Sequence, residues 1–216
     1  LNRFLSFLLI LGIGYATYLL SVTSYGYTSF DPRYDFLETK QFIYHIQLWR
    51  WSFYVHVFSS SLILITGLFQ FSPYFIHKKP IVHRTLGFIY LFLVIFVSGP
   101  ASLVMSLYAN GGILAQISFT ILSCMWILST LLAYTFVRKK KYLQHGKWLL
   151  RSYALTLSAI TLRLYSYLFG YFQPDIGPKE TYILLSYLSW IPNLIAVELL
   201  IRFGFVNHLL FGSEAD

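Results

Sequence analysis

The chain has 216 residues, 57% of them hydrophobic and 11% charged, with a mean hydropathy of +0.63. An ordinary soluble domain is about one-quarter charged, so this composition excludes one and marks an integral membrane protein. The net charge of +8 does not indicate nucleic acid, because nothing interleaves the bases with an exposed binding face.

A spanning helix needs about 20 mostly apolar residues. Taken in chain order, six segments meet that length, at roughly residues 4–24, 51–72, 85–108, 112–137, 148–172 and 181–204. The expected fold is an all-α polytopic bundle of six transmembrane helices forming a single domain over residues 1–216. The opening stretch "LNRFLSFLLILGIGYATYLLSV" has a longer apolar run than a secretory signal and no small-residue cleavage site after it, so it reads as a retained first helix. The outer loop, residues 25–50, is the longest connection, and its later half is expected to form an aromatic helix lying at the interface. In the third segment "SGPAS" puts Pro100 mid-membrane, where it should bend the helix and free a carbonyl. The turn "YANGG" that follows predicts an antiparallel hairpin with the fourth segment. That segment holds the single cysteine, Cys124, so no intrachain disulfide can form.

Lys and Arg near the segment ends set the orientation. Arg3, Lys78, Lys79, Arg84, Arg138, Lys139, Lys140, Lys141, Lys147, Arg151 and Arg202 fall on one side, against Glu214 and Asp216. The other side holds Arg33, Lys40, Arg50 and Lys179 against five carboxylates. The positive-inside rule then puts the first side, with both termini, in the cytoplasm. The aromatic content, 20%, suits helices that meet lipid and end in its interfacial belts. The expected location is a bacterial cytoplasmic (inner) membrane, with the lipid bilayer as the first partner.

Charge at membrane depth costs at least about 2.5 kcal/mol on insertion scales, so each such residue needs a partner or a water-lined cavity. Arg163 and Glu198 are the two deep charges, and the lean of side chains toward their own helix N-termini brings them toward each other, which predicts an ion pair. Ser152, Thr156, Ala159, Arg163, Ser166 and Gly170 recur at spacings of three and four and share one helix face. His56, Ser60, Ile63, Gly67 and Gln70 do the same on the second helix. Such faces pack against protein rather than lipid, and His56, Gln70, Arg163, Asn193 and Glu198 are the candidate buried polar centre.

Three readings of the histidines stay open. They anchor helix ends by hydrogen bonds; or His83 and His145, at matching depth on different helices, are axial ligands of a b-type haem; or, with Glu198, they form a metal site or proton relay. In the haem reading Arg84 and Arg151 neutralise propionates. Too few ligands converge for a zinc site. No phosphate-binding glycine loop, nucleophile elbow or "HExxH" helix is present.

The stretches "FYVHVFSSSLILITGLFQF", "HRTLGFIYLFLVIFVSG", "NGGILAQISF", "HGKWLLRSYALTLSAITLRLY" and "LSWIPNLIAVELLI" together resemble the family of multi-pass membrane proteins known as domain of unknown function 2306. The resemblance covers roughly residues 45–204. It departs from the family's pattern at Leu149, where Met is common. It implies that His56, His83, Arg84, His145, Arg151, Arg163, Asn193 and Glu198 occupy motif positions, and it supplies no activity. Haem- or quinone-linked electron transfer is the leading specific expectation. The alternatives are an accessory subunit with membrane-protein partners, or a small-solute or proton-coupled transporter.

Overall fold

The computed structural model describes residues 3–211, with side chains described for residues 8–210. Of the residues counted for orientation, Glu214, Asp216 and the Arg3 side chain lie outside those described. The described residues are all-helical. They form α1 (Arg3–Gly26), α2 (Gln47–Phe69), α3 (Pro73–His77), α4 (Pro80–Phe92), α5 (Gly99–Ser106), α6 (Ile113–Arg138), α7 (Tyr142–Thr156), α8 (Ser158–Phe172), α9 (Pro178–Leu188), α10 (Ile191–Arg202) and α11 (Phe205–Phe211). Five helical stretches are long and apolar enough to cross a membrane: Leu8–Ser29, Gln47–Phe69, Pro80–Ser106, Ile113–Arg138 and Pro178–Arg202.

The stretch expected as an unbroken span over residues 148–172 is two helices of 15 residues each, α7 and α8, which meet at Leu157. No proline or glycine explains that break. A side chain from another helix does: the Asn193 amide on α10 donates to the Ala154 carbonyl at 3.2 Å. Beyond it, Ile160 and Thr161 both turn back to the Leu157 carbonyl, at 2.9 and 3.0 Å. Insertion of a foreign donor into the helical ladder is a recognised cause of a kink.

Two further passages are interrupted by proline. Pro192 has no N–H and its ring displaces the carbonyl four residues back, so α9 and α10 are separated at Ser189 and Trp190. Pro100 is preceded by a π-helical turn over Leu93–Ser98, in which the Gly99 N–H reaches back five residues to the Val94 carbonyl. A Cβ on Gly99 would stand 2.2 Å from that carbonyl oxygen, so only glycine fits there. The turn between α5 and α6 uses Gly111 and Gly112 at φ of 88° and 75°, and Ser106 and Thr120 hydroxyls pair across the hairpin at 2.8 Å.

The outer loop is not an interfacial helix. It folds over one end of the bundle as short 3-10 turns, Tyr27–Ser29 and Asp35–Lys40, and α2 begins at Gln47, earlier than expected. Tyr27, Leu37, Trp49 and Phe53 form its buried cluster, with Tyr27 edge-on to Phe53 at 5.1 Å. The reason is area: burying large aromatic side chains against one another gains more than laying them along lipid headgroups. This end is called the loop end below. The opposite end, bearing Lys78, Lys79 and the run Arg138 to Lys141, is the basic end.

The bundle centre is packed by Ile63, Tyr90, Val94, Trp126, Tyr153 and Trp190. Gly67 lets α2 approach here: a Cβ on it would lie 2.5 Å from the Tyr153 ring and 2.9 Å from that of Tyr90. Gly67→Ala should therefore overpack this contact and destabilise by about 1–3 kcal/mol, read as a lower melting temperature in detergent; an unchanged temperature would contradict the packing.

Candidate functional site

A cavity of about 430 Å³ occupies the loop-end half of the bundle. Its walls come from α2 (His56, Ser60), α5 (Ser102, Ser106), α6 (Ser123, Trp126), α8 (Ala159, Arg163, Ser166) and α9 (Tyr182, Leu185), and its roof from the loop residues Tyr27, Asp35 and Lys40. Thr156 at the end of α7 and Ser189 at the α9–α10 break also line it. Most of the two polar helix faces read from the sequence is accounted for here. Thr156, Ala159, Arg163 and Ser166 reach the cavity from one stripe, and His56, Ser60 and Ile63 from the other. Gly170 has nothing near it, and Gly67 and Gln70 serve packing below.

The floor is a hydroxyl network. The Tyr90 hydroxyl lies 2.7 Å from Ser152 Oγ and 2.9 Å from Thr156 Oγ1. Trp126 Nε1 donates to Thr156 Oγ1 at 2.9 Å, and Thr130 and Ser152 hydroxyls pair at 2.7 Å. All of these groups are buried, so each satisfies another that would otherwise be costly to hold in an apolar interior.

His56 sits against the π-helical turn, with Nδ1 2.8 Å from Ser98 Oγ and 3.3 Å from the Ser98 carbonyl. π-turns concentrate at functional sites, and this one delivers a polar group to a histidine that lines the cavity. Behind the wall, Asn193 Nδ2 lies 3.1 Å from both Thr161 Oγ1 and the Ser189 carbonyl, and the Thr161 hydroxyl also donates to Ser189. One amide thus ties the α7–α8 break to the α9–α10 break.

The expected pair of Arg163 and Glu198 does not form. Glu198 takes Arg151 instead, with Nε at 2.5 Å and Nη2 at 2.9 Å, and the Trp148 ring lies 4.6 Å from the guanidinium. The Glu198 side chain is 51% exposed, so it does not belong to a buried centre. Topology is the reason: α10 packs on α7, whereas α8, beyond the break, packs on α1 and α9. Arg163 is itself exposed by area, where it borders the cavity, so it too is not a buried member of the centre, and it makes one hydrogen bond, from Nη1 to the Ala159 carbonyl of its own helix at 3.0 Å. Among the described residues no carboxylate approaches it within 4.0 Å.

His83 and His145 lie in the other half and do not line the cavity. His145 Nδ1 is 2.8 Å from the Ala133 carbonyl, and His83 Nδ1 is buried without a partner. Both histidines are partly exposed, and the glycines near them are closely packed: a Cβ on Gly87 would meet Gln70 Oε1 at 2.8 Å, and one on Gly146 would meet Val206 at 2.6 Å. Of the two arginines expected beside haem propionates, Arg151 is committed to Glu198 and Arg84 is exposed. No cluster of three or more metal-ligating side chains occurs among the described residues.

Sequence reasoning missed Lys40. It is only 4% exposed, lines the cavity, and donates to the Tyr108 carbonyl at 2.6 Å and to Asn110 Oδ1 at 2.7 Å. Lying among aromatic loop residues, it gave no periodic signal. Phe36 and Trp49 rings stand 5.3 and 5.9 Å from its ammonium, and burial pushes its pKa down to about 8 from 10.5. Between those values the unfolded chain holds the proton and the folded chain does not, so stability rises with pH across that window. The expected gain is on the order of 3 kcal/mol, visible as a melting temperature that climbs from pH 8 to 10.5 in the wild type relative to Lys40→Met; parallel profiles would refute it. For the other pair, Arg151→Glu alone should lower the melting temperature by placing two carboxylates together, and adding Glu198→Arg should recover most of the loss.

No curated protein and no solved structure matches the chain. A family model described as predicted membrane protein (DUF2306) matches residues 53–201, which include most of α2, the three helix interruptions, Arg163 and the Arg151–Glu198 pair. The roof of the cavity, from Tyr27 to Trp49, lies outside the matched region. By that match over more than half its length, the chain belongs to the DUF2306 family of predicted membrane proteins.

Proposed function

We propose that the chain is a carrier for a small solute, which enters the cavity from the loop end and is held above the hydroxyl floor. The observation that supports this reading is a 430 Å³ cavity bounded at the interruptions of two helical passages, at Thr156–Ser158 and Ser189, with the third interruption, the π-helical turn, standing behind the cavity residue His56. Irregular backbone at membrane depth is tolerated where it is buried in protein or lines a water-filled cavity, and interrupted helices around a midplane site recur in secondary transporters. In this reading α7 and α8 together make the sixth crossing, the basic end and both termini are cytoplasmic, and the membrane is the inner membrane of a bacterium.

The competing readings have less support. Electron transfer through a haem rests on two histidines that lie outside the cavity, and an accessory subunit needs no cavity with cations on its walls. Accessibility tests the carrier reading. In a Cys124→Ala background, Ser158→Cys should react with a water-soluble thiol reagent applied at the loop end of oriented vesicles and resist it from the basic end. Failure to react from either side would refute a wet cavity, and a Soret band in protein purified from its native membrane would return the redox reading.

A further inference from the structure

Arg163 faces a second chamber besides the main cavity. This chamber, of about 40 Å³, lies between α1, α2 and α8, and Leu20, Ser24, His56, Ser60 and Arg163 are among its walls. It has room for one or two water-sized groups and not for a whole solute.

Two of its walls call for an acceptor. A guanidinium has five N–H donors; Arg163 spends one on its own helix and, being exposed, presents the others to the open space of the chamber and the main cavity. Ser24 is 6% exposed and its Oγ has no hydrogen-bond partner. A helix offers a serine an easy remedy, the carbonyl four residues back, and Thr17, Ser21 and Thr23 on the same helix all take it. Ser24 does not. The Ser60 hydroxyl is already occupied, donating to the His56 carbonyl at 2.5 Å. An anion would accept from both Arg163 and Ser24, whereas a cation would meet only repulsion from the guanidinium.

The charge of the neighbouring cavity agrees. Arg163 and Lys40 stand on its walls against one carboxylate, Asp35, whose Oδ2 accepts the Tyr27 hydroxyl at 2.8 Å. One positive charge is left over, which a monoanion balances.

We infer that Arg163 and Ser24 form an anion subsite, which takes a small monoanion or the carboxylate head of a solute whose apolar part occupies the main cavity. This rests on the carrier reading of that cavity. The subsite donates through the guanidinium and the Ser24 hydroxyl, and the apolar walls contributed by Phe53, Val57 and Leu162 receive the rest of the solute.

The test is binding to the full chain in phosphatidylcholine nanodiscs, followed by tryptophan fluorescence, since Trp126 lines the cavity edge-on to His56 at 6.3 Å. Sodium octanoate should bind saturably, and octanamide about tenfold more weakly or worse. Arg163→Gln should bring octanoate down to the level of octanamide and leave octanamide unchanged; Ser24→Ala should weaken octanoate by about threefold to tenfold. Competition by sodium chloride assigns the subsite to small monoanions in general, and octanoate binding without competition assigns it to carboxylates. Equal affinity for octanoate and octanamide, or octanoate binding unchanged in Arg163→Gln, overturns the subsite and leaves the carrier reading intact. Binding of neither compound, while Ser158→Cys still reacts from the loop end, does the same. If Arg163→Gln does not fold, unchanged octanoate binding in Ser24→Ala overturns the inference.

Discussion

Inside a bilayer a backbone carbonyl that loses its helical partner cannot turn to water, and this constraint organises the molecule. Three passages break their helical ladders, and each break is repaired from inside the chain. The π-helical turn closes its own bond from Gly99 to Val94, and Asn193 supplies the donor that Ala154 lacks. Thr161 and Asn193 both serve Ser189. Because Asn193 and Thr161 reach across between the α7–α8 and α9–α10 passages, those two breaks and the packing between them are specified together. A cavity can then exist beside them without stranding polar backbone in hydrocarbon.

The same economy of partners separates the two arginines of the α7–α8 passage. Arg151 has a carboxylate with bidentate geometry and an aromatic face, and so it fixes α7 against α10. Arg163, twelve residues on and beyond the kink, rotates away from that neighbour to face α1, α2 and the loop. Twelve residues already turn a straight helix by about 120° beyond three full turns and advance it by about 18 Å, so the two arginines start on different faces. The interruption at Leu157 adds to that separation, with α7 packed on α10 and α8 on α1 and α9.

Much of this was legible in the sequence, for physical reasons that differ between elements. Long apolar runs announce helices by length alone, and the paired glycines after Asn110 announce a turn. The stripes through His56 and Arg163 identified cavity-facing sides, because periodicity reports a face whether or not the helix is continuous. Pairing across helices was not legible: Glu198 was assigned to the wrong arginine, since depth can be counted along a chain but adjacency cannot. The break at Leu157 carries no proline or glycine and originates 36 residues away, at Asn193. Pro192, in "WIPNL", was a visible signal of the other break. Lys40 was hidden for a third reason: the fold of an aromatic loop depends on what it covers.

On the carrier reading, the hydroxyl network beneath the cavity bears on selectivity. Tyr90, Thr130, Ser152 and Thr156 can each donate or accept, so the network can reverse its sense by rotating hydroxyl hydrogens while every heavy atom stays in place. A solute would meet this network through Thr156, which can turn its hydrogen toward an acceptor or a lone pair toward a donor as the buried hydroxyls behind it readjust. Discrimination by charge is thereby confined to the opposite end of the chamber, under the loop. The bottom can adapt to a passenger, while the top alone can refuse one.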